Sequence, residues 1–469
     1  MKFPMIIKLS SLPGLSKGSV GQVVRFTNTR PDSCTVRLLF VLTVAQQLKS
    51  TTIDFNAAFV QSELPEPIYL ELPPGYSSAP GEDKVYKVVK SLYGDIRAAK
   101  LWYKHLSSAL VDKMGFRKSS IDSCLFLRDA LIFAFYVDDG IIVSSNDQLI
   151  VAFIDELREC RINLGVEDDY AGYLGVDIIM QPDGSILMRQ TGLIERILAD
   201  FGLSDSTSTK QTPAAEILTP HKDSPPLDHT VINYRSSIGK IMYLASNTRC
   251  ELTVANHQCS RFSNDPRVPH GKALKRIARY LLGTRDKGMI IRPTNDLTLD
   301  CYADADYAGV YSSWDPNDPK SVKSRTGFVI ILGGIPVAWV SRLQVETALS
   351  TMEAEYIALS QALRVLIPLR IVLDEVTTAL NLKQDPHSSI KSTIFEDNQA
   401  CLLLATSDPP KMTPRSKSIA VKYHWFREHL EPGVIDIMPI ASEDQLADIF
   451  TKPLSSLPFS KLRAKLLGW

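Results

Sequence analysis

The 469-residue chain carries no net charge, its 52 Lys and Arg balancing 52 Asp and Glu. That balance excludes a uniformly basic nucleic-acid coat, so any such binding must come from a local patch. The seven cysteines include no Cys-x-x-Cys pair, which argues against a zinc ribbon or disulfide framework and for buried thiols in a reducing compartment. No run reaches the roughly 20 apolar residues of a membrane span, and the apolar stretch in Met1 to Lys8 is too short for a secretory signal. No internal repeat is visible. A soluble intracellular protein without membrane partners is the expectation, with roughly three domains at about 150 residues each.

What is present is organised as follows. Residues 1–33 have no clear periodicity, whereas Thr35 to Leu48 predicts a buried helix. Ile53 and Phe55 flank Asp54 as in a strand, and the Pro-rich passage from Leu64 to Tyr76 reads as loop and edge strand. Trp102, Leu106, Leu110 and Met114 recur at helical spacing. Two apolar runs, Leu131 to Val137 and Ile141 to Val143, bracket Asp138-Asp139-Gly140 as a β-hairpin with carboxylates at its tip. A helix is expected over Asp147 to Arg161 and a strand and turn from Tyr173 to Gly184. Ser, Thr, Pro and Lys dominate from Ser204 to His229, which reads as a linker.

Tyr234 to Arg292 holds twelve basic residues against three acids. On a helical wheel Leu274, Ile277, Ala278 and Leu281 separate from Lys272, Lys275, Arg276 and Arg279. Such a stripe suits a phosphate backbone, and equally the solvated face of a surface helix. Beyond Pro293, strands near Leu297 to Tyr302, Gly327 to Leu332 and Ser392 to Phe395 alternate with a helix from about Met352 to Leu366, an α/β pattern.

Two sets of acids carry potential chemistry. Adjacent carboxylates such as Asp138 and Asp139 repel unless a cation holds them ionised, and a third from a neighbouring strand, Asp54, completes a set able to hold two dications roughly 3.5–4 Å apart for phosphoryl transfer. Asp-Gly is also a favoured hairpin turn with no further role. The second set is Asp304, Glu355, Asp397 and Asp448, one from each successive element; composition alone does not prefer them over Asp306, Glu353 or Glu396, which read as solvated charge.

At these residues the chain resembles the reverse transcriptase and ribonuclease H region of a copia-type long-terminal-repeat retrotransposon polyprotein, from about Thr35 to Leu467 and with the motifs in family order. The motifs are Asp54-Phe55-Asn56-Ala57-Ala58-Phe59, Pro67 to Tyr76, Tyr136-Val137-Asp138-Asp139, Tyr173-Leu174-Gly175, Tyr234 to Gly239 with Met242-Tyr243-Leu244, and Ala273 to Thr284. In the last third they are Tyr302 to Gly309, Met352 to Tyr356, Glu396-Asp397-Asn398-Gln399 and Gln445 to Leu454.

The resemblance implies an α+β fold: a reverse-transcriptase palm with incomplete fingers and a connection region, then an α/β ribonuclease H-like domain. The expected boundaries are an unmatched segment 1–33, fingers remnant and palm 34–203, linker 204–229, basic connection 230–293 and ribonuclease H-like domain 294–469. It implies Asp54, Asp138 and Asp139 as polymerase metal ligands, and Asp304, Glu355, Asp397 and Asp448 as ribonuclease H ligands, with two Mg2+ or Mn2+ ions per site. Phe59 would exclude a ribose 2′-hydroxyl, or simply pack in the core, and Tyr136 would line the nucleotide pocket. Lys272, Lys275, Arg276 and Arg279 would track template and primer. The implied partners are an RNA template, a DNA primer, RNA/DNA hybrid and deoxynucleoside triphosphates, in the cytoplasm, particle-associated in an intact element, or in the nucleus.

Several positions depart from the family pattern. Residues 1–33 contain no Lys-Ala-Arg-Leu-Val strand. The usual Tyr-Gly-Leu-Lys-Gln-Ala-Pro-Arg is Tyr93-Gly94-Asp95-Ile96-Arg97-Ala98-Ala99-Lys100, the usual Thr-Arg-Pro-Asp is Thr248-Arg249-Cys250-Glu251, and Lys-His-Ile-Asp is Lys417-Ser418-Ile419-Ala420, with Lys422-Tyr423-His424 retained. No capsid, protease or integrase segment is recognisable. The expectation is therefore a polymerase with ribonuclease H, or ribonuclease H activity alone, or a silent nucleic-acid-binding or unexpressed relic.

Overall fold

A computed structural model describes residues 5–8, 33–72, 84–167, 175–230, 232–311, 321–383, 389–407 and 423–469. Pro73 to Tyr76, Tyr173-Leu174 and Lys417 to Lys422 lie outside the described residues. Contacts divide the chain into two compact units. The first comprises residues 1–32, 49–169 and 379–381, and the second residues 33–48, 170–378 and 382–469.

In the first unit an antiparallel six-stranded sheet runs in the order Arg117–Lys118, Leu125–Arg128, Leu131–Tyr136, Asp139–Ser144, Lys49–Asp54, Gly165–Glu167. The helices Ala98–Ser108 and Asp147–Glu159 bury Trp102, Leu106, Phe153 and Leu157 against Phe55, Phe126, Phe133 and Phe135. Rings meet edge to face at 5.1 Å for Phe55 and Trp102 and at 5.2 Å for Phe133 and Phe153, the geometry aromatic quadrupoles favour. A separate three-stranded sheet orders Met5–Lys8, Lys84–Lys90 and Glu63–Leu70. The proline-bearing strand Glu63–Leu70 sits at the edge, where its missing N–H groups cost no ladder bond.

The hairpin differs from expectation in one detail. Tyr136 pairs with Asp139, so the turn residues are Val137 and Asp138, while Asp139-Gly140 lie in the strand. The Asp-Gly pair is thus not the turn. Gly140 is required for another reason: a Cβ there would stand 2.8 Å from Ile53 and 2.9 Å from Phe133.

In the second unit the helix Ser33–Ala45 is buried along nearly its whole length, as its apolar composition predicts. It belongs to the second unit. Arg37, 4% exposed, donates to the Val337 carbonyl at 2.8 Å and the Ser246 carbonyl at 3.0 Å, and its guanidinium lies 4.1 Å from the centre of the Trp339 ring. A helix apolar all round has no face to advertise its neighbour, so the single charged side chain fixes its seat.

Residues 204–229, read as a linker between domains, have both flanks in the same unit. They contain no helix or strand, yet Thr212 and Leu218 are buried. Arg276 donates to the Thr212 carbonyl and hydroxyl at 3.1 and 2.9 Å, and Arg279 to the Ser208 carbonyl at 2.6 Å. Hydroxyl-rich chain that composition reads as loose is held down by the helix Val268–Leu282.

The second unit holds a three-stranded antiparallel sheet, Asp177–Met180, Ile186–Arg189, Met289–Ile291, and a five-stranded sheet in the order Ile335–Leu343, Arg325–Leu332, Leu299–Asp306, Ser392–Glu396, Ile435–Pro439. The first three are antiparallel, and the last two run parallel to the central strand. With the helices that follow its strands, this sheet makes an α/β part of an α+β chain. The helix Thr351–Ala379 is long and apolar enough by length and composition to cross a membrane, although charged residues break its apolar run. However, 61% of its apolar window is buried, Trp425 donates to Ser360 at 3.0 Å, and Glu355 is 4% exposed. These contacts make it a core helix.

Replacing Gly140 by Ala forces Cβ into two core side chains. The expected cost is about 1–3 kcal/mol, read as a lower denaturant midpoint; an unchanged midpoint would refute this packing.

Candidate active sites

The first acidic group is assembled by backbone register. Asp54 pairs directly with Asp139, and the Phe55 amide donates to the Asp138 carbonyl at 2.7 Å. Two non-glycine residues beside the acids hold left-handed backbone, Val137 at φ 54° and Ala57 at φ 51°. A β-branched residue at positive φ is a genuine outlier and persists only where its surroundings impose it. Here the Trp102 indole N–H donates to the Val137 carbonyl and holds the turn.

All three acids are half-buried. Burial and then the neighbouring Asp138 push the Asp54 carboxyl above its ordinary range, as expected of like charges brought together. The Tyr93 hydroxyl is raised by burial, then by Asp138 and Asp54, which puts it within electrostatic reach of the group. The Tyr93 ring lies 4.6 Å from that of Phe59, which packs partly against the core. Tyr136 is half-buried beside the turn. The roles of Tyr93, Trp102 and Val137 escape sequence reasoning; a β-branched residue preceding two acids at a hairpin tip is the available signal.

The second group lies at the five-stranded sheet and the helix Thr351–Ala379. Among the described residues, Asp304, Glu355 and Asp397 each offer a carboxylate oxygen, and these atoms lie within 4.8 Å of one another. Asp304 stands near the end of its strand opposite Gly327. A Cβ at Gly327 would fall 2.5 Å from the Thr451 methyl, so glycine permits the segment Gln445 to Thr451 to close over the strand. Gln445 donates to the Ala303 carbonyl at 2.9 Å, and the Thr451 hydroxyl donates to Asp304. Asp397 accepts from Ser442 at 2.7 Å.

Asp448 stands apart from the group of three: it is paired with Lys452 at 2.7 Å and exerts its charge on Asp304. Glu353, the alternative to Glu355, accepts from the Leu349 amide at 2.8 Å at the start of its helix. Glu396, expected to be solvated charge, is 1% exposed. Alternation is the signal that finds it, because Ser392, Ile394 and Glu396 share the buried face of one strand.

Burial and mutual repulsion raise Asp304, Glu355 and Glu396 well above ordinary carboxylates, burial being the first cause in each. The Oε2 atoms of Glu355 and Glu396 are buried without a hydrogen-bond partner. Buried, unpartnered carboxylate oxygens facing other carboxylates fit a hard divalent cation.

Along the basic stripe Lys272 and Lys275 are exposed, while Arg276 and Arg279 are half-buried and hydrogen-bond residues 208–212. Arg97, at the position of the family's Gln, is likewise bound to Asp95 at 3.3 Å.

Raised folded-state pKa values store protons in the native protein, so without metal the stability supplied by Asp304, Glu355 and Glu396 is present below their unfolded values and lost as pH rises through the folded ones. In chelator, the melting temperature is expected to fall from about pH 5 upward, through about 7 for Asp304 and about 8 for Glu396 and on toward about 11 for Glu355, with Mg2+ flattening the decline. A profile that does not respond to Glu355→Gln would refute the assignment.

Residues 30–216 match the family described as "Reverse transcriptase (RNA-dependent DNA polymerase)". The Pol polyprotein from transposon RE2 of Arabidopsis thaliana is 29% identical over 438 residues, which cover 92% of this chain and 28% of that protein. The Pol polyprotein from transposon TNT 1-94 of Nicotiana tabacum is 29% identical and covers 92% of this chain and 32% of its own length. The chain therefore spans about a third or less of either relative. The foamy viral protease-reverse transcriptase, solved with dsDNA, aligns at TM-score 0.45 and 13% identity, covering 86% of this chain and 70% of that one. The chain is thus similar to a reverse transcriptase family over residues 30–216 and to retrotransposon Pol polyproteins over 92% of its length, in agreement with the order of its motifs.

Proposed function

We propose that the chain carries out phosphodiester chemistry at two acidic centres. Asp54, Asp138 and Asp139 serve RNA-directed DNA polymerisation from deoxynucleoside triphosphates, and Asp304, Glu355, Asp397 and Asp448 serve hydrolysis of the RNA strand of an RNA/DNA hybrid. The observation that carries this reading is the gathering of Asp304, Glu355 and Asp397 within 4.8 Å around an unpartnered, buried Glu355 oxygen. Bound Mg2+ or Mn2+, two ions in each centre, would supply Lewis-acid activation of the attacking and leaving oxygens.

The protein's own groups set the geometry. Strand pairing fixes Asp54 against Asp139, Trp102 holds the turn that presents Asp138, and Phe59 with Tyr93 forms the wall beside them. In the second centre Thr451 orients Asp304 and Ser442 orients Asp397. Lys272 and Lys275 offer exposed charge to the template-primer backbone.

A narrower reading, hybrid hydrolysis alone, is favoured by the Asp95–Arg97 pair, which places an acid and an engaged base where relatives carry Leu and Gln.

Primer extension on an RNA template tests the first centre: Asp138→Asn is expected to lower it at least roughly 100-fold while leaving melting unchanged. Hybrid cleavage tests the second, with Asp397→Asn expected to lower it by a similar factor. Cleavage without extension in the unmodified chain would select the narrower reading; cleavage indifferent to Asp397→Asn would dismiss the second centre.

A further inference from the structure

Lys452 lies four residues after Asp448, and its ammonium is 2.7 Å from the Asp448 carboxylate. An i,i+4 pair on a protein surface is ordinarily worth little. This one is placed differently. The ammonium also acts on Asp304 and Asp306, so its electrostatic neighbourhood is the acidic centre itself. Asp448 is only 17% exposed, and it falls outside the group of three carboxylates whose oxygens converge. The preceding residue, Thr451, is tied to Asp304, which anchors Lys452 at the rim.

Resting on the hydrolytic reading of this centre, we propose that Lys452 is a built-in counter-cation that occupies Asp448 and competes with a divalent ion for it. Asp304, Glu355 and Asp397 then form a ready site with an unpartnered oxygen, while Asp448 becomes available as a ligand only when Lys452 releases it. The two ions are therefore bound unequally, and Lys452 sets the difference. It is a positioning residue, acting through Asp448.

The test is Mn2+ binding to the full chain without nucleic acid, followed by electron paramagnetic resonance of free Mn2+, in a background carrying Asp138→Asn and Asp139→Asn to silence the other centre. That protein is expected to bind one ion more tightly than a second. Lys452→Met is expected to tighten the weaker site about tenfold, the scale of one partly screened charge a few ångström away. Lys452→Arg should keep it weak, and Asp448→Asn combined with Lys452→Met should abolish the gain. Equal Mn2+ affinities in the background protein and its Lys452→Met variant would overturn the proposal while leaving the hydrolytic reading intact. Absence of Mn2+ binding in both would overturn that reading, and the role of Lys452 with it.

Discussion

Like-charged carboxylates repel, and the two centres exist because the backbone forces them together against that repulsion. In the first unit the forcing element is strand register: Asp54 cannot move away from Asp139 without breaking the ladder that buries Ile53 and Ile142. In the second it is closure of the segment Gln445 to Thr451 over the Asp304 strand, permitted by the missing side chain of Gly327. In both, burial adds to the electrostatic cost and shows as carboxyls that hold their protons more tightly than in water. Sites that concentrate cost in this way are where function is usually found.

The surrounding structure supplies the compensation. Around the Asp138 turn it is an aromatic core whose Trp102 both fills space and commits its N–H to the turn. Around Asp304 it is a sheet whose central strand is paired on both sides. In the first unit left-handed Val137 and Ala57 lie beside the acids, so backbone strain and charge repulsion are localised within the same few residues.

Much of this was legible in the sequence, for reasons that differ by element. Continuous apolar runs around 138 and 139 reveal a buried hairpin, and its register follows from burial. Its turn is not legible, because a valine at positive φ violates local preference and only the distant Trp102 accounts for it. The helix Ser33–Ala45 is readable as a helix, but uniform hydrophobicity hides which surface receives it. The segment 204–229 reads as loose because hydroxyls and prolines favour loops; that those hydroxyls would be taken by Arg276 and Arg279 depends on tertiary contact. Glu396 is readable from alternation, yet a charged residue at a strand end is usually solvated, and that expectation competes with the pattern.

The seat of the helix Ser33–Ala45 has a consequence for how such a chain can be divided. Its residues precede the strand that carries Asp54 in sequence but belong to the second unit, through Arg37 and Trp339. Neither unit is a contiguous stretch, so a recombination event or gene fusion that joins at residue 203 would strand a buried arginine from its acceptors. An exchange of the C-terminal half that keeps this seat would carry residues 33–48 with it.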